Sequence, residues 1–115
     1  RAPYHLSGGE KRAVSIATVL AMVPEVLVLD EPSAGLDPHS RRNVIRLLQG
    51  LACARVVASH DLDLILDVCP RVLLMHRGRI AADGPSAAIL QQRELLEECG
   101  LELPLRYQAC PVCGA

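Results

Sequence analysis

The sequence predicts an α/β domain in which helices flank a parallel sheet. Apolar runs of strand length alternate with segments of helical periodicity, which is the order of βαβ units. Half of the residues are hydrophobic, yet there are only two Tyr and no Phe or Trp. A core of Leu, Val, Ile and Ala is typical of a parallel sheet covered by helices. The length of 115 residues suits one domain.

The first predicted elements are a helix and a strand. Residues 11–22 place apolar side chains at helical spacing, and Ser-Gly-Gly-Glu at 7–10 has the form of a capping box that begins this helix. Residues 26–29, Val-Leu-Val-Leu, form a continuous apolar run. Such a run predicts a strand that is buried on both faces.

A second helix and strand follow a short loop. Pro38 suits the first turn of a helix that Asp37 caps and that ends at Gly50. Residues 55–59 contain Val-Val-Ala and predict the second strand. The shorter elements after it are a helix at 61–68, a strand at 72–75, an antiparallel partner at 79–82 after the Arg77-Gly78 turn, and helices at 85–92 and 93–99. We therefore expect a domain over residues 1–100 and a loosely held tail over residues 101–115.

Charge and composition argue against several classes of protein. Twelve Lys and Arg balance thirteen Asp and Glu, which gives no support to a nucleic-acid groove or a polybasic membrane patch. The apolar stretches are far shorter than the roughly 20 residues of a membrane span. Five cysteines without a secretory signal indicate a reducing cytosol rather than a disulfide framework. Because the chain begins with Arg and not Met, we expect a fragment.

Three features lie where open α/β sheets bind ligands. The acids Asp30 and Glu31 follow the first strand, where they can hold a cation or move a proton; the alternative is a solvated acidic turn. Gly8 and Gly9 open a helix whose N–H groups can face an anion, or they belong to a capped helix start and nothing more. His60 follows the second strand, where it can reach a phosphate or a water molecule, or it is incidental to a helix cap.

Four motifs in order connect these features. They are LSGGEKR at 6–12, VLVLDEP at 26–32, SAGLD at 33–37 and SHD at 59–61. They resemble the signature motif, Walker B motif, D-loop and switch histidine of ABC ATPases. The resemblance covers about three-quarters of the chain. It implies the C-terminal part of a P-loop NTPase fold, with the N-terminal strands and the phosphate loop missing.

The resemblance also implies cofactors and residue roles. ATP and Mg²⁺ are the expected cofactors, and the family works as dimers that enclose each nucleotide between two subunits. By this resemblance, Asp30 coordinates Mg²⁺ through water, Glu31 is the general base, and His60 contacts the γ-phosphate. The resemblance also implies that Ser7, Gly8 and Gly9 bind the γ-phosphate of ATP held by the opposite subunit. It places Asp37 at the dimer interface.

The phosphate-binding loop is absent from the sequence. That loop needs a Gly-Lys pair whose Lys reaches the β- and γ-phosphates. Lys11 is the only lysine, and Glu10 precedes it. We therefore predict that the 115-residue chain binds ATP weakly and does not turn it over.

Within the ABC ATPases, the stretch from 3 to 38 most resembles the energising subunit of cobalt, nickel and vitamin importers of the energy-coupling-factor type. The implied partners are a second ATPase subunit and a transmembrane subunit, with no nucleic acid, at the cytoplasmic face of the membrane. Two alternatives stay open: a soluble ABC ATPase of DNA repair or translation, and a truncated product with no cellular role.

The tail carries a Cys-x-x-Cys pair at Cys110 and Cys113. Structural zinc needs four ligands, and the sequence has no second such pair. We expect a solvated tail here, with a shared metal ion or a redox pair as the alternatives.

Overall fold

The computed structural model describes residues 8–109. The chain divides into two compact units, Arg1–Ser59 and His60–Ala115. Each unit is considered by itself. Residue Ser7 and the pair Cys110 and Cys113 lie outside the described residues, so the predictions made for them are not addressed by the structure.

The first unit has the order helix, strand, helix, strand. Its elements are α1 (Gly8–Leu20), β1 (Val26–Asp30), α2 (Pro38–Gln49) and β2 (Ala54–Ala58). The strands β1 and β2 pair in parallel, with Val28 opposite Val56 and Asp30 opposite Ala58. The unit is therefore a β-α-β crossover preceded by α1, which confirms the predicted parallel sheet with flanking helices.

The strand β1 is buried on one face, whereas its continuous apolar run by itself predicted burial on both. Leu27 and Leu29 are buried, but Val26 and Val28 are 53% and 72% exposed. Successive side chains of a strand point to opposite faces of the sheet, so the two valines share the outer face. Val56 on β2 is 57% exposed and lies opposite Val28. The outer face of the β1–β2 sheet is thus an open apolar surface.

The bounds of α2 could be predicted because both of its ends carry capping residues. Asp37 precedes the helix with an extended backbone, and its carboxylate accepts a hydrogen bond from the Ser40 N–H at 2.7 Å. Pro38 occupies the first helical position, where its missing N–H has no intrahelical partner to lose. At the other end the Gly50 N–H donates to the carbonyls of the last turn. Apolar spacing then buries Val44, Ile45 and Leu48.

The second unit is built around a short helix and a hairpin. Its elements are α3 (Leu62–Val68), β3 (Arg71–His76), β4 (Arg79–Pro85), α4 (Ser86–Ile89), α5 (Arg93–Glu98) and a 3₁₀ turn (Leu105–Tyr107). The strands β3 and β4 are antiparallel and form a two-stranded sheet of their own. Arg77 and Gly78 both have positive φ, which suits the tight turn that the sequence predicted.

The third predicted strand therefore does not extend the β1–β2 ladder. The turn at Arg77-Gly78 brings the next segment back at once, so the neighbour of β3 is β4. Arg71 and Asp83 link the two strands through two hydrogen bonds of 2.8 and 2.7 Å. The helix predicted at 85–92 is shorter in the structure, ending at Ile89.

The segment 101–109 makes more contacts than the loosely held tail that we expected. The Leu105 N–H and the Arg106 Nε both donate to the Asp63 carboxylate of α3, at 2.8 and 3.0 Å. Arg106 also donates to Asp67 at 2.9 Å. A strand or helix period does not reveal such contacts, because they join residues about 40 positions apart.

Candidate functional site

The two acids lie at the carboxyl end of β1, as predicted. Asp30 is the last residue of the strand and is exposed, while Glu31 is half-buried. The Glu31 N–H donates to the Ala58 carbonyl at 2.7 Å, which extends the parallel ladder by one bond. The acids therefore stand at the edge of the sheet where open α/β proteins bind ligands.

Glu31 has a left-handed backbone, with φ of 46°. For a residue with a β-carbon, this conformation costs roughly 1–2 kcal/mol. Strain of this kind persists only where the surroundings hold it, and it is concentrated at functional sites. The backbone turns sharply at Glu31, away from the strand direction, and the side chain is placed at the strand end.

Ser59 contacts the Glu31 side chain directly. Its hydroxyl donates to Glu31 Oε2 at 3.1 Å. The contact follows from the register of the sheet. Because Asp30 lies opposite Ala58, the residues that follow them, Glu31 and Ser59, are also neighbours. Ser59 belongs to the SHD motif, yet sequence reasoning assigned it no role, because the pairing of β1 with β2 in this register was not predicted.

Arg12 is the second contributor that sequence reasoning missed. Its guanidinium extends from α1 and donates to the carbonyl oxygens of Glu31 at 3.3 Å and Ala34 at 3.0 Å, and also to that of Pro32. A single cation thus caps three carbonyl groups just beyond β1. An Arg within an Arg-rich sequence has no pattern that identifies it as such a cap.

The two glycines lie at the first turn of α1, close to the loop and helix that follow β1. A β-carbon at Gly8 would lie 3.8 Å from Leu36 Cδ2, an ordinary contact. A β-carbon at Gly9 would lie 2.5 Å from both Cβ and Oγ of Ser40, which is too close. Gly9 is therefore required for the approach of α1 to α2, whatever ligand the helix start binds.

Asp37 caps α2, the helix whose Ser40 lies against Gly9. The Ser40 N–H that donates to its carboxylate is the main reason that the pKa of Asp37 is below its ordinary value. The carboxylate is therefore charged at neutral pH. Its place at the start of a helix also favours negative charge.

His60 begins the second unit, whereas the other predicted site residues that the structure describes belong to the first. It is exposed, and it lines an open groove with Asp61, Leu101 and Gln108. Asp61 caps α3, since its carboxylate accepts from the Leu64 N–H at 3.1 Å. His60 thus directly precedes the N-cap residue of α3.

The metal expected from the resemblance can be tested against the donors that are present. Among residues 8–109, no group of three or more His, Cys, Asp or Glu side chains is arranged to hold a metal ion. Mg²⁺ in nucleotide sites usually binds one or two carboxylates and takes its other ligands from water and phosphates. The exposed carboxylate of Asp30 fits that requirement. No helix in the described part of the chain is long and apolar enough to span a membrane.

Comparison with known proteins gives consistent matches. A model of the family described as "AAA domain, putative AbiEii toxin, Type IV TA system" matches residues 1–67. A "Putative ABC transporter ATP-binding protein" of Geobacter sulfurreducens is 54% identical over 97% of this chain and 45% of its own length. The "Energy-coupling factor transporter ATP-binding protein EcfA" of Methanothermobacter thermautotrophicus is 43% identical over 90% of this chain and 34% of its own.

Solved structures agree with these relatives. CbiO1 of Clostridium perfringens, described as part of the ABC transporter complex CbiONQ, matches with a TM-score of 0.71 and 36% identity. It aligns with 84% of this chain and 40% of its own. MJ1267, an ATP-binding cassette of an ABC transporter, matches with a TM-score of 0.75 and 27% identity over 84% of this chain and 41% of its own. The chain spans less than half the length of the relatives that it matches.

Proposed function

Because the chain belongs to the ABC transporter ATP-binding proteins, we propose that its residues bind and hydrolyse ATP as part of a transporter's ATPase subunit. The observation that carries the proposal is the pair of acids at the end of β1. Glu31 has a left-handed backbone there, and the Ser59 hydroxyl donates a hydrogen bond to its carboxylate. Such an arrangement keeps a carboxylate fixed at the edge where a phosphate would lie.

The two acids have different roles in this proposal. Asp30 would hold Mg²⁺ through water, and the ion, when bound, would offset the negative charge of the phosphates. Glu31 is the general base that takes the proton of the attacking water. The Ser59 hydroxyl orients Oε2 of Glu31, which supports a fixed direction for that proton transfer. His60 donates a hydrogen bond to the γ-phosphate.

The start of α1 faces a second nucleotide. We place Ser7, Gly8 and Gly9 against the γ-phosphate of ATP held by another ATPase subunit, since a helix N-terminus presents N–H groups and a positive dipole end. Asp37 lies at the interface between the two subunits. The closeness of Gly8 to Leu36 supports this, because it puts the helix start beside the loop that leads to Asp37.

The transporter is an importer of the energy-coupling-factor type in this proposal, for cobalt, nickel or a vitamin. Relatives named as energy-coupling factor ATP-binding proteins, at 43% and 46% identity, support it. The ATPase would then bind a transmembrane subunit at the cytoplasmic face of the membrane. Co-purification with detergent-solubilised membrane proteins is the expected result. Recovery with ribosomes or DNA instead would favour a soluble ABC ATPase.

The general-base role is testable in an ATPase subunit that joins these residues to a phosphate-binding loop. Glu31→Gln should retain ATP binding and lower the rate of ATP hydrolysis by about 10²–10⁴-fold, the usual contribution of a general base. Glu25→Gln, which alters an exposed acid just before β1, is the matched control and should hydrolyse ATP at the parent rate. Equal rates for Glu31→Gln and the parent protein would refute the role of Glu31.

For the 115-residue chain itself, we predict weak ATP binding and no measurable turnover, because the only lysine is in the signature motif and no Gly-Lys pair is present. Nucleotide titration and a phosphate-release assay on the purified chain measure both properties. Magnesium-dependent hydrolysis well above the background of the Glu31→Gln chain would contradict the prediction.

A further inference from the structure

Arg12 has a position that its sequence motif does not explain. It lies one turn after Gly9 on α1, and its guanidinium reaches across 19 to 22 residues of sequence to the segment that follows β1. The side chain is half-buried. All three of its acceptors are backbone carbonyls, so the contact does not depend on which side chains the segment carries.

The segment that Arg12 contacts is a pair of tight turns. The Ala34 N–H donates to the Glu31 carbonyl at 3.2 Å, and the Leu36 N–H donates to the Ser33 carbonyl at 3.3 Å. Glu31 and Gly35 both have left-handed backbones, with φ of 46° and 74°. Turns of this kind direct several carbonyl oxygens toward one side, and a cation with five N–H donors can satisfy them together.

Only one of these left-handed residues is a glycine. Gly35 adopts its backbone without a steric penalty, whereas Glu31 does not. The conformation of Glu31 must therefore be held by contacts on either side. Ala58 and Ser59 hold its N–H and its carboxylate, and Arg12 holds its carbonyl. Of these three contacts with Glu31, the one made by Arg12 comes from α1.

We propose that Arg12 is a positioning residue: by capping the carbonyls of 31, 32 and 34 it holds the carboxylate of Glu31 in place and links it to the start of α1. The inference rests on the proposed function, in which Gly8 and Gly9 meet a phosphate and Glu31 acts as base. A ligand at the helix start is then connected to the base by a single side chain, without movement of the sheet.

The test compares three variants of the 115-residue chain by NMR, without nucleotide. Arg12→Met keeps the length and packing of the side chain but removes its donors, and Arg12→Lys restores part of them. Arg42→Met is the matched control, since Arg42 is an exposed arginine on α2. The readouts are amide exchange over residues 31–36 and the carboxyl ¹³C resonance of Glu31.

We expect Arg12→Met to speed exchange of the Ala34 amide by about tenfold, the effect of losing one charge-assisted hydrogen bond, and to shift the Glu31 carboxyl resonance. Arg12→Lys should recover part of both changes, and Arg42→Met should cause neither. Amides within the core of the unit, such as those of Leu29 and Leu48, should keep their exchange rates in all three variants.

Two outcomes would overturn the proposal. Unchanged signals over 31–36 in Arg12→Met would show that Arg12 does not position Glu31. Faster exchange of equal size throughout the first unit would show that Arg12 contributes to general packing only. Because no nucleotide is added, these results do not depend on ATP binding, and a failure of the proposed function would appear separately in the ATP hydrolysis rates of the Glu31→Gln comparison.

Discussion

In the first unit, two close contacts depend on a single atom of one residue each. Gly9 brings α1 against Ser40 because it has no β-carbon, and Ser59 reaches Glu31 because its hydroxyl follows the last paired residue of β2. Neither effect is visible in hydrophobic periodicity. Both belong to residues within motifs that the sequence singled out for another reason, namely binding of a nucleotide.

Gly9→Ala should destabilise the chain, because the added methyl group would lie 2.5 Å from Ser40 Cβ. Overpacking of this kind typically costs about 1–3 kcal/mol in the free energy of unfolding. Urea unfolding followed by circular dichroism measures the loss. The double variant with Ser40→Gly should recover most of it.

Gly8→Ala is the matched control for that experiment. Its β-carbon would meet only Leu36 Cδ2, at 3.8 Å, and Ala has the higher helix propensity. We expect its unfolding midpoint to equal or exceed that of the parent chain. A loss as large as that of Gly9→Ala would show that the contact with Ser40 does not limit the approach of the two helices.

At the scale of elements, side-chain caps define the helices more than propensity does. Asp37 caps α2 and Asp61 caps α3 by the same geometry, a carboxylate that accepts the N–H three residues on. Asp63, in the first turn of α3, instead accepts the N–H of Leu105. One acidic cluster near the start of a helix thus both begins that helix and attaches a segment from later in the chain.

The cap on α2 should weaken at low pH. The pKa of Asp37 is below its ordinary value of 3.8, chiefly because the Ser40 N–H donates to the charged carboxylate. A lowered pKa in the folded state means that the stabilisation is complete above the unfolded value and is lost as pH falls through the folded value. We expect the Ser40 amide signal to titrate below pH 3.8.

Asp37→Asn controls for this effect, since Asn still accepts the hydrogen bond but carries no titrating group. Its Ser40 amide signal should stay constant over the same pH range. The origin assigned to the lowered pKa would be wrong if the parent signal titrated above 3.8 or if the Asn variant titrated as the parent does.

The contact between α3 and the segment 101–109 should be measurable at one amide. Arg106→Met removes the hydrogen bonds to Asp63 and Asp67, which are at 3.0 and 2.9 Å. Because partly exposed ion pairs contribute about 1 kcal/mol or less, exchange of the Leu105 amide should become roughly fivefold faster. Arg93→Met, at the exposed start of α5, should leave that rate unchanged. Equal rates in both variants would contradict the contact.

At the scale of the whole molecule, the two units each hold a two-stranded sheet, and a sheet of that size has little stability by itself. Both sheets carry exposed apolar side chains, which include Val28 and Val56 in the first unit and Met75 and Ile80 in the second. Exposed apolar patches of this kind usually mark an interaction surface or a tendency to aggregate.

The open face of the β1–β2 sheet should make the chain prone to self-association. Val28→Thr with Val56→Thr replaces two exposed apolar groups by β-branched polar ones, so we expect less light scattering at high concentration with little change in unfolding midpoint. Leu29→Thr is the control: Leu29 is 8% exposed, and its replacement should lower the midpoint instead. Scattering that is unaffected by the double change would show that another surface drives association.

Local rules were sufficient for the elements themselves. Asp37, Pro38 and Gly50 determine the bounds of α2 through short-range hydrogen bonds and fixed dihedral angles, and the Arg77-Gly78 turn determines a hairpin. Each of these interactions joins residues a few positions apart, so the sequence alone predicts it. The order of four motifs was likewise enough for the family, and the comparisons confirm it.

The tertiary structure decided what lies around the two acids. The sequence by itself placed Asp30 and Glu31 at the end of a strand. Only the fold showed that Glu31 is left-handed and is held by Arg12 and Ser59. The physical reason is distance along the chain: these contacts join residues 19 to 28 positions apart, and they exist only where β1 pairs with β2 in one register and α1 packs beside them.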